Sequence, residues 1–264
     1  MIDSLRLEAA HALRDAYRTG NPIPPLSQTY SELDLEDAYA IQLAQVDAWL
    51  ADGQTILGHK VGLTSLAVQK QLGVNQPDFG HLTNEMFYLS GEPIPVDQFL
   101  QPRVEPEIAF VLKSPLRGPN VTVAEAIRAV GFVLASLEIV DSRIADWKIT
   151  LTDTVADNAS SGGVVLGTRP MRLDDVDLRT LGAVLYKNGR IQHTGAGASV
   201  LGSPISSLVW LANTLGRLGT TLEAGEVVIP GAITPMVPAA PGDTITAVFA
   251  GLGSVTAQFA QETR

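Results

Sequence analysis

Three acidic side chains stand in runs that are otherwise apolar. In QPRVEPEIAFVL, residues 101–112, Glu105 and Glu107 are two positions apart at the mouth of a hydrophobic stretch. Residues two apart in a strand share a face, so this pair lies with Ala109 and Val111, while Val104, Ile108, Phe110 and Leu112 make a wholly apolar opposite face. In GFVLASLEIVDSR, residues 131–143, Glu138 interrupts a second apolar run and shares its face with Ser136 and Val140. A buried carboxylate needs a cation, a proton or an arginine to neutralise it. Two carboxylates from one strand and a third from another would form an oxygen-rich half-shell for a hard divalent cation, with positions left for water or substrate. Mg²⁺ or Mn²⁺ suits such a ligand set. The plainer alternative puts Glu105 and Glu107 at an exposed strand end near Arg103, with Glu138 in solvent or an ion pair.

Three further positions could serve such a site. Lys60, in GHKVGLTS, lies in a short apolar segment flanked by glycines, where it could offer positive charge or move a proton; the alternative is a surface lysine with its stem laid on apolar neighbours. Asp78, in NQPDFGHL, reads by spacing alone as an Asx-type turn residue before Gly80. DTVADNASSGG, residues 153–163, is a polar loop ending in small residues, among them Ser160, suited either to close backbone approach to a ligand or simply to turning.

The elements that must position these residues are legible in outline. A helix is expected over about 4–19, with Asp3 or Ser4 as cap and Gly20 as stop, followed by the proline-rich linker GNPIPPLS. A second helix starts near Asp34 and carries Leu35, Tyr39, Leu43, Val46 and Leu50 at helical spacing, the stripe of a helix packed on one side. From TILGHKVGLTS onward, short β-rich runs broken by Gly and Pro alternate with helices at 122–130 and 203–218, the latter capped by Ser203 with Pro204 in its first turn. Asn188-Gly189 marks a hairpin, and DTITAVFAGLGSVTAQFA reads as two closing strands around Gly251 and Gly253. The pattern predicts an α+β fold on a curved or barrel-like sheet, with a helical N-terminal region over 1–65 and the main domain over 66–264.

Composition narrows the function. With 18 Lys+Arg against 28 Asp+Glu, the formal charge is -10, which argues against nucleic acid or an anionic membrane as partner. An anionic substrate would therefore need a metal or a specific Lys or Arg. The chain has 0 cysteines, which removes disulfides, thiolate metal sites and a cysteine nucleophile. His11, His59, His81 and His193 show no zinc-type spacing. No segment has the length of a membrane span and the N-terminus lacks the apolar core of a signal peptide, so the expected location is cytoplasmic.

Taken in order, GHKVGLTS, LGVNQPDFGHL, QPRVEPEIAFVL, LEIVDSRIADWKI and DTVADNASSGG resemble the 2-hydroxypenta-2,4-dienoate hydratase and 4-oxalocrotonate decarboxylase family of aromatic meta-cleavage catabolism. GAGASVLGSPISSLVWLAN and the closing PGDTI and GLGSV extend the resemblance over nearly the whole chain. It implies a fumarylacetoacetase-like fold, a mixed β-roll or barrel. It implies Mg²⁺ or Mn²⁺ held by Glu105, Glu107 and Glu138, catalytic roles for Lys60 and Asp78, and substrate contacts from Lys60 and Ser160. A homo-oligomer is implied too, with association with other enzymes of the pathway as a further expectation. Pro106 departs from the alanine of the family pattern and puts the local strand pairing in question. The expected activity is hydration of a short 2-hydroxydienoate. The alternatives are 4-oxalocrotonate decarboxylation by the same site, a non-catalytic partner subunit, and a C–C hydrolase in which His59 or His81 would assist a water.

Overall fold

The two apolar runs that carry the glutamates pair with each other along nearly their whole length. The computed structural model describes residues 2–72 and 74–261. The helices are α1 (Ile2–Thr19), α2 (Leu26–Thr29), α3 (Leu35–Ala51), α4 (Leu66–Leu72), α5 (Val123–Ala129), α6 (Leu151–Ala156) and α7 (Pro204–Arg217). The strands of the first half are β1 (Ile56–Gly62), β2 (Asp78–Thr83), β3 (Phe87–Leu89), β4 (Pro93–Ile94), β5 (Arg103–Leu112) and β6 (Val130–Val140). Those of the second half are β7 (Ser161–Leu166), β8 (Gly182–Lys187), β9 (Arg190–Ala196), β10 (Val227–Ile229), β11 (Val237–Pro238), β12 (Thr244–Phe249) and β13 (Gly253–Phe259).

A mixed eight-stranded sheet runs β2-β1-β10-β5-β6-β7-β3, with β11 also on β5; a second sheet runs β4-β13-β12-β8-β9. Alternation along β5 and β6 sorts their side chains as expected. Val104, Ile108, Phe110, Val133, Leu137 and Ile139 enter the main core, where Leu185, Ala247 and Val255 of the second sheet meet them. The opposite face carries the glutamates. This is the expected α+β fold on a curled mixed sheet, with helices at its N-terminal end.

Pro106 sits in the middle of a paired strand, opposite Leu137. A strand residue points its N–H and C=O to the same side, and the Pro106 carbonyl accepts from Ile233 N–H at 2.9 Å. Its missing donor therefore faces the loop between β10 and β11, where no ladder exists to be broken. β10 pairs with Val111 and Phe110, β11 with Val104 and Arg103, and the stretch between is free of both strands.

The helical expectations hold with two corrections. α1 begins at Ile2, so Asp3 and Ser4 lie in its first turn instead of capping it. In α3, Asp34 is the N-cap and forms a reciprocal capping box with Asp37, but the buried face matches the apolar stripe only in part: Val46 is buried and Leu35 and Tyr39 pack on the core, whereas the rest of the stripe is exposed. Leu43 and Leu50 are each 45% exposed, while Ala38, Ile41, Gln42 and Gln45 are buried. Two glutamines replace leucines on that face because they bind open carbonyls across the contact, as described below.

Candidate active site

β1 brings Lys60 inward with glycines on both sides, and its neighbour β2 brings Asp78. In the antiparallel register Lys60 faces Gly80 and Gly62 faces Asp78, so the ammonium and the carboxyl sit on one face, diagonally across the pair. Both glycines are required by space. A Cβ on Gly62 would lie 2.2 Å from Asp78 Oδ1, and one on Gly80 would lie 2.4 Å from the Asn158 carbonyl oxygen. Asp78 is thus the first residue of a strand, 2% exposed, and not the turn residue that spacing alone favours.

The glutamates occupy the middle of the same sheet face. Glu105 is directly opposite Glu138, and Glu107 is opposite Ser136, two pairs along and on the same face. Like charges directly opposite each other repel, so this register is unfavourable unless something neutralises them. Glu107 and Glu138 are fully buried and Glu105 is partly so. One carboxylate oxygen from each lies within 4.8 Å of the other two. Lys60 Nζ is 3.1 Å from Glu138 Oε1, and Gly231 N–H donates to Glu107 Oε2 at 2.7 Å. Glu107 Oε1 and both Glu138 oxygens lack a well-aligned hydrogen-bond donor.

The electrostatics follow from that crowding. Burial, then the neighbouring Glu138 charge, pushes the Glu105 carboxyl up to about 8. Glu107 is raised well above the usual range by burial and by Glu138 and Glu105. Burial raises Glu138 too, against the pull of Lys60. For Lys60 burial acts downward, but Glu138, Asp78, Glu105 and Glu107 together outweigh it and keep the ammonium charged. Burial also raises Asp78, with Lys60 and Thr154 opposing. Burial and mutual repulsion thus favour the protonated form of these carboxyls, and a cation would favour the charged form. An all-oxygen donor set with buried, undonated oxygens fits a hard divalent cation.

Ser160 reaches the same neighbourhood from α6 and the turn that follows it. Asn158, Ala159 and Ser160 adopt left-handed backbone conformations in succession, with φ of 52°, 50° and 53°. Such residues cost of order 1–2 kcal/mol each and persist only where the surroundings fix them. Here Asn158 does so: its Oδ1 accepts from His81 N–H at 2.8 Å and its Nδ2 donates to the His81 carbonyl at 2.9 Å, mimicking a strand partner for β2. Asp157 pairs with the buried Arg143 guanidinium, which also donates to Tyr17 Oη at 2.6 Å and to the Ser161 carbonyl at 2.8 Å. His59 and His81 alternate with Lys60 and Gly80 along their strands and so point to the rear face, with ring centroids 5.0 Å apart.

Residues 51–260 match the family profile described as fumarylacetoacetate (FAA) hydrolase, C-terminal. The chain belongs to the fumarylacetoacetate hydrolase family. Among curated relatives, a TodF product hydratase of Pseudomonas putida is 48% identical over 254 residues, spanning 96% of this chain and 95% of that one. A 2-keto-4-pentenoate hydratase of Paraburkholderia xenovorans is 46% identical over 259 residues, spanning 98% and 96%. Among solved structures, 4-oxalocrotonate decarboxylase from Pseudomonas putida G7, complexed with magnesium and adipate, superposes with a TM-score of 0.94 at 39% identity, over 97% of this chain and 98% of that one.

In this family member the fold brings all six sequence-nominated residues to one neighbourhood: Glu105, Glu107 and Glu138 as a cluster, Lys60 on Glu138, and Asp78 linked to Ser160 through Thr154. Several supporting residues escaped sequence reasoning. Gln42 donates to the Phe79 and Val155 carbonyls at 3.0 and 2.8 Å, and Gln45 to the Ala156 carbonyl at 2.7 Å. The signal that could have exposed them is a pair of uncharged polar residues, three apart, on the face of α3 opposite Leu43 and Leu50.

Proposed function

We propose that the chain is a metal-dependent hydro-lyase that adds water to 2-hydroxypenta-2,4-dienoate (2-oxopent-4-enoate) to give 4-hydroxy-2-oxopentanoate, a step of aromatic meta-cleavage catabolism. The observation that carries this reading is the convergence of three carboxylates with Lys60 and Asp78 on one sheet face. Its likeness over almost full length to 2-keto-4-pentenoate hydratases supports it.

Glu105, Glu107 and Glu138 would hold Mg²⁺ or Mn²⁺. Bound there, the cation supplies Lewis acidity toward the 2-oxygen and carboxylate of the substrate and offsets the acidic cluster. Lys60, kept charged by its acidic neighbours, would bind the substrate's carboxylate or oxo group as a cation and donor, not as a base. The reaction needs a proton taken from the 2-hydroxyl and one delivered to C5, giving an α,β-unsaturated 2-oxo acid. Water then adds to C4 as a proton reaches C3. Asp78, whose carboxyl burial raises above the ordinary value, would orient the water and accept its proton. Ser160 would contact substrate or water from the strained turn. The rear-facing His59 and His81 are not disposed to assist a water at the carboxylate cluster, which disfavours the hydrolase alternative.

The test is an ultraviolet assay on freshly made 2-hydroxypenta-2,4-dienoate with Mg²⁺, with Mn²⁺ and with chelator, products being identified by mass. Metal-dependent loss of the dienol absorbance with gain of one water is expected. Inertness toward that substrate together with loss of carbon dioxide from 4-oxalocrotonate would make the site a decarboxylase, the reading that the 39% identical solved structure favours.

A further inference from the structure

Asp78 is tied to the α6 segment by one hydroxyl. Thr154 Oγ1 donates to Asp78 Oδ2 at 3.5 Å and lies 3.4 Å from Ser160 Oγ, which itself donates to Asp157 Oδ2 at 3.4 Å. Asp157 is fixed in turn by the Arg143 guanidinium, which reaches both its carboxylate and its carbonyl. Along this line Thr154, at 7%, is the most exposed member; Ser160 is at 3%, Asp78 at 2% and Arg143 at 1%. Among the described residues no well-aligned hydrogen bond reaches Asp78 Oδ1, although the backbone of Gly62 lies close to the carboxyl.

From this geometry we infer that Thr154 is a positioning residue for Asp78: its hydroxyl holds the carboxyl in the orientation that catalysis uses and joins it to Ser160 as one unit. The inference rests on the role given to Asp78 above. A threonine hydroxyl has one proton and two lone pairs. When that proton goes to Asp78, the Thr154 oxygen accepts from Ser160, whose single proton is shared between Thr154 Oγ1 and Asp157 Oδ2, each at 3.4 Å. Thr154 sets this order because it touches both Asp78 and Ser160, while the buried Arg143–Asp157 pair anchors the far end. A valine in its place keeps the shape and removes the hydroxyl.

The experiment compares the full-length Mg²⁺-loaded wild type with T154V and T154S. Steady-state kinetics on 2-hydroxypenta-2,4-dienoate, Mg²⁺ calorimetry and a crystal structure of T154V supply the readouts. A carboxyl released from its orientation should lower kcat by roughly 10- to 100-fold, with KM and Mg²⁺ affinity within about twofold of wild type on the same positional argument. T154S, which keeps the hydroxyl and loses only the methyl, should recover most of kcat. The inference is overturned if T154V turns over like wild type, or if T154S is as impaired as T154V, since the methyl's packing would then be what matters. A T154V structure with Asp78 unmoved also overturns it, whatever the kinetics. Failure of the hydratase reading would look different: the wild type itself would leave the dienoate untouched, and the T154V structure would still decide whether Thr154 orients Asp78.

Discussion

Gly62 has no side chain because the Asp78 carboxyl fills the space one would need. A Cβ there would also come within 3.4 Å of Lys60 Nζ, so Gly62→Ala displaces both groups at once. We expect G62A to fold and to lose at least about tenfold in turnover through misplacement alone, measured in the dienol assay. Glu138→Gln keeps the shape and removes the charge that faces Lys60 and Glu105. Its Mg²⁺ affinity should fall roughly 100-fold, about 2.7 kcal/mol, by calorimetry, with the circular dichroism spectrum retained; undiminished binding would remove Glu138 from the ligand set. At this scale the carboxylates were legible in sequence because a charge inside an apolar strand is conspicuous. Asp78 was half-legible: the Q-P-D-F-G context suggests a turn, and only the opposing Gly62 reveals a buried strand position. Thr154 was not legible, since a hydroxyl's partner is a matter of the fold.

At the scale of elements, the N-terminal helices act as a clamp on α6 and the left-handed turn. Tyr17 of α1 meets Arg143, Ser27 of α2 donates to Asp153 through N–H and Oγ at 2.9 and 2.7 Å, and Gln42 and Gln45 of α3 hold three carbonyls. All four residues lie before residue 51, where the family profile begins. Replacing Gln45 with leucine leaves the Ala156 carbonyl buried without that donor, at a cost of about 1–3 kcal/mol. The amides of residues 154–161 should then exchange hydrogen faster in Q45L while those of β5 and β6 keep their protection. Equal acceleration everywhere would mean that the helix stabilises the whole molecule and does not clamp this segment. α1 and α3 could be read from capping and periodicity; α2, which starts inside the proline-rich linker, could not, and the face that α3 buries was legible only in part. Apolar spacing marks Val46, which is buried, but also Leu43 and Leu50, which are exposed, while Gln42 and Gln45 are buried on their amide hydrogen bonds.

For the whole molecule, folding without metal must accommodate the carboxylate cluster. Glu105, with an ordinary value of 4.5 and about 8 in the fold, binds a proton more readily when folded. Its contribution to stability is present below pH 4.5 and is lost as pH rises toward 8. His81 works in the opposite sense: burial, then the His59 charge, lowers it from 6.5 to about 3, so stability falls as pH drops below 6.5. The two oppose each other between pH 4.5 and 6.5, and above 6.5 the carboxyl acts alone. Metal-free protein should therefore lose up to about 1.4 kcal/mol per pH unit from each such carboxyl between pH 6.5 and 8. Mg²⁺ should flatten that slope, and thermal scans with and without chelator will show whether it does. The curled sheet and its helical end were legible from hairpin and strand signals. The β10–β5–β11 arrangement was not, because strands of two and three residues carry too little pattern. That arrangement has a consequence for how such enzymes diverge. Pro106 cannot extend a ladder toward the gap between β10 and β11, so residues 230–236 approach Glu107 as an insert and not as sheet. The insert is nonetheless held by the fold, with Ile233 in the main core and no room for a Cβ on Gly231 beside Thr64, so variation in the wall beside Glu107 is easiest at its exposed Pro235.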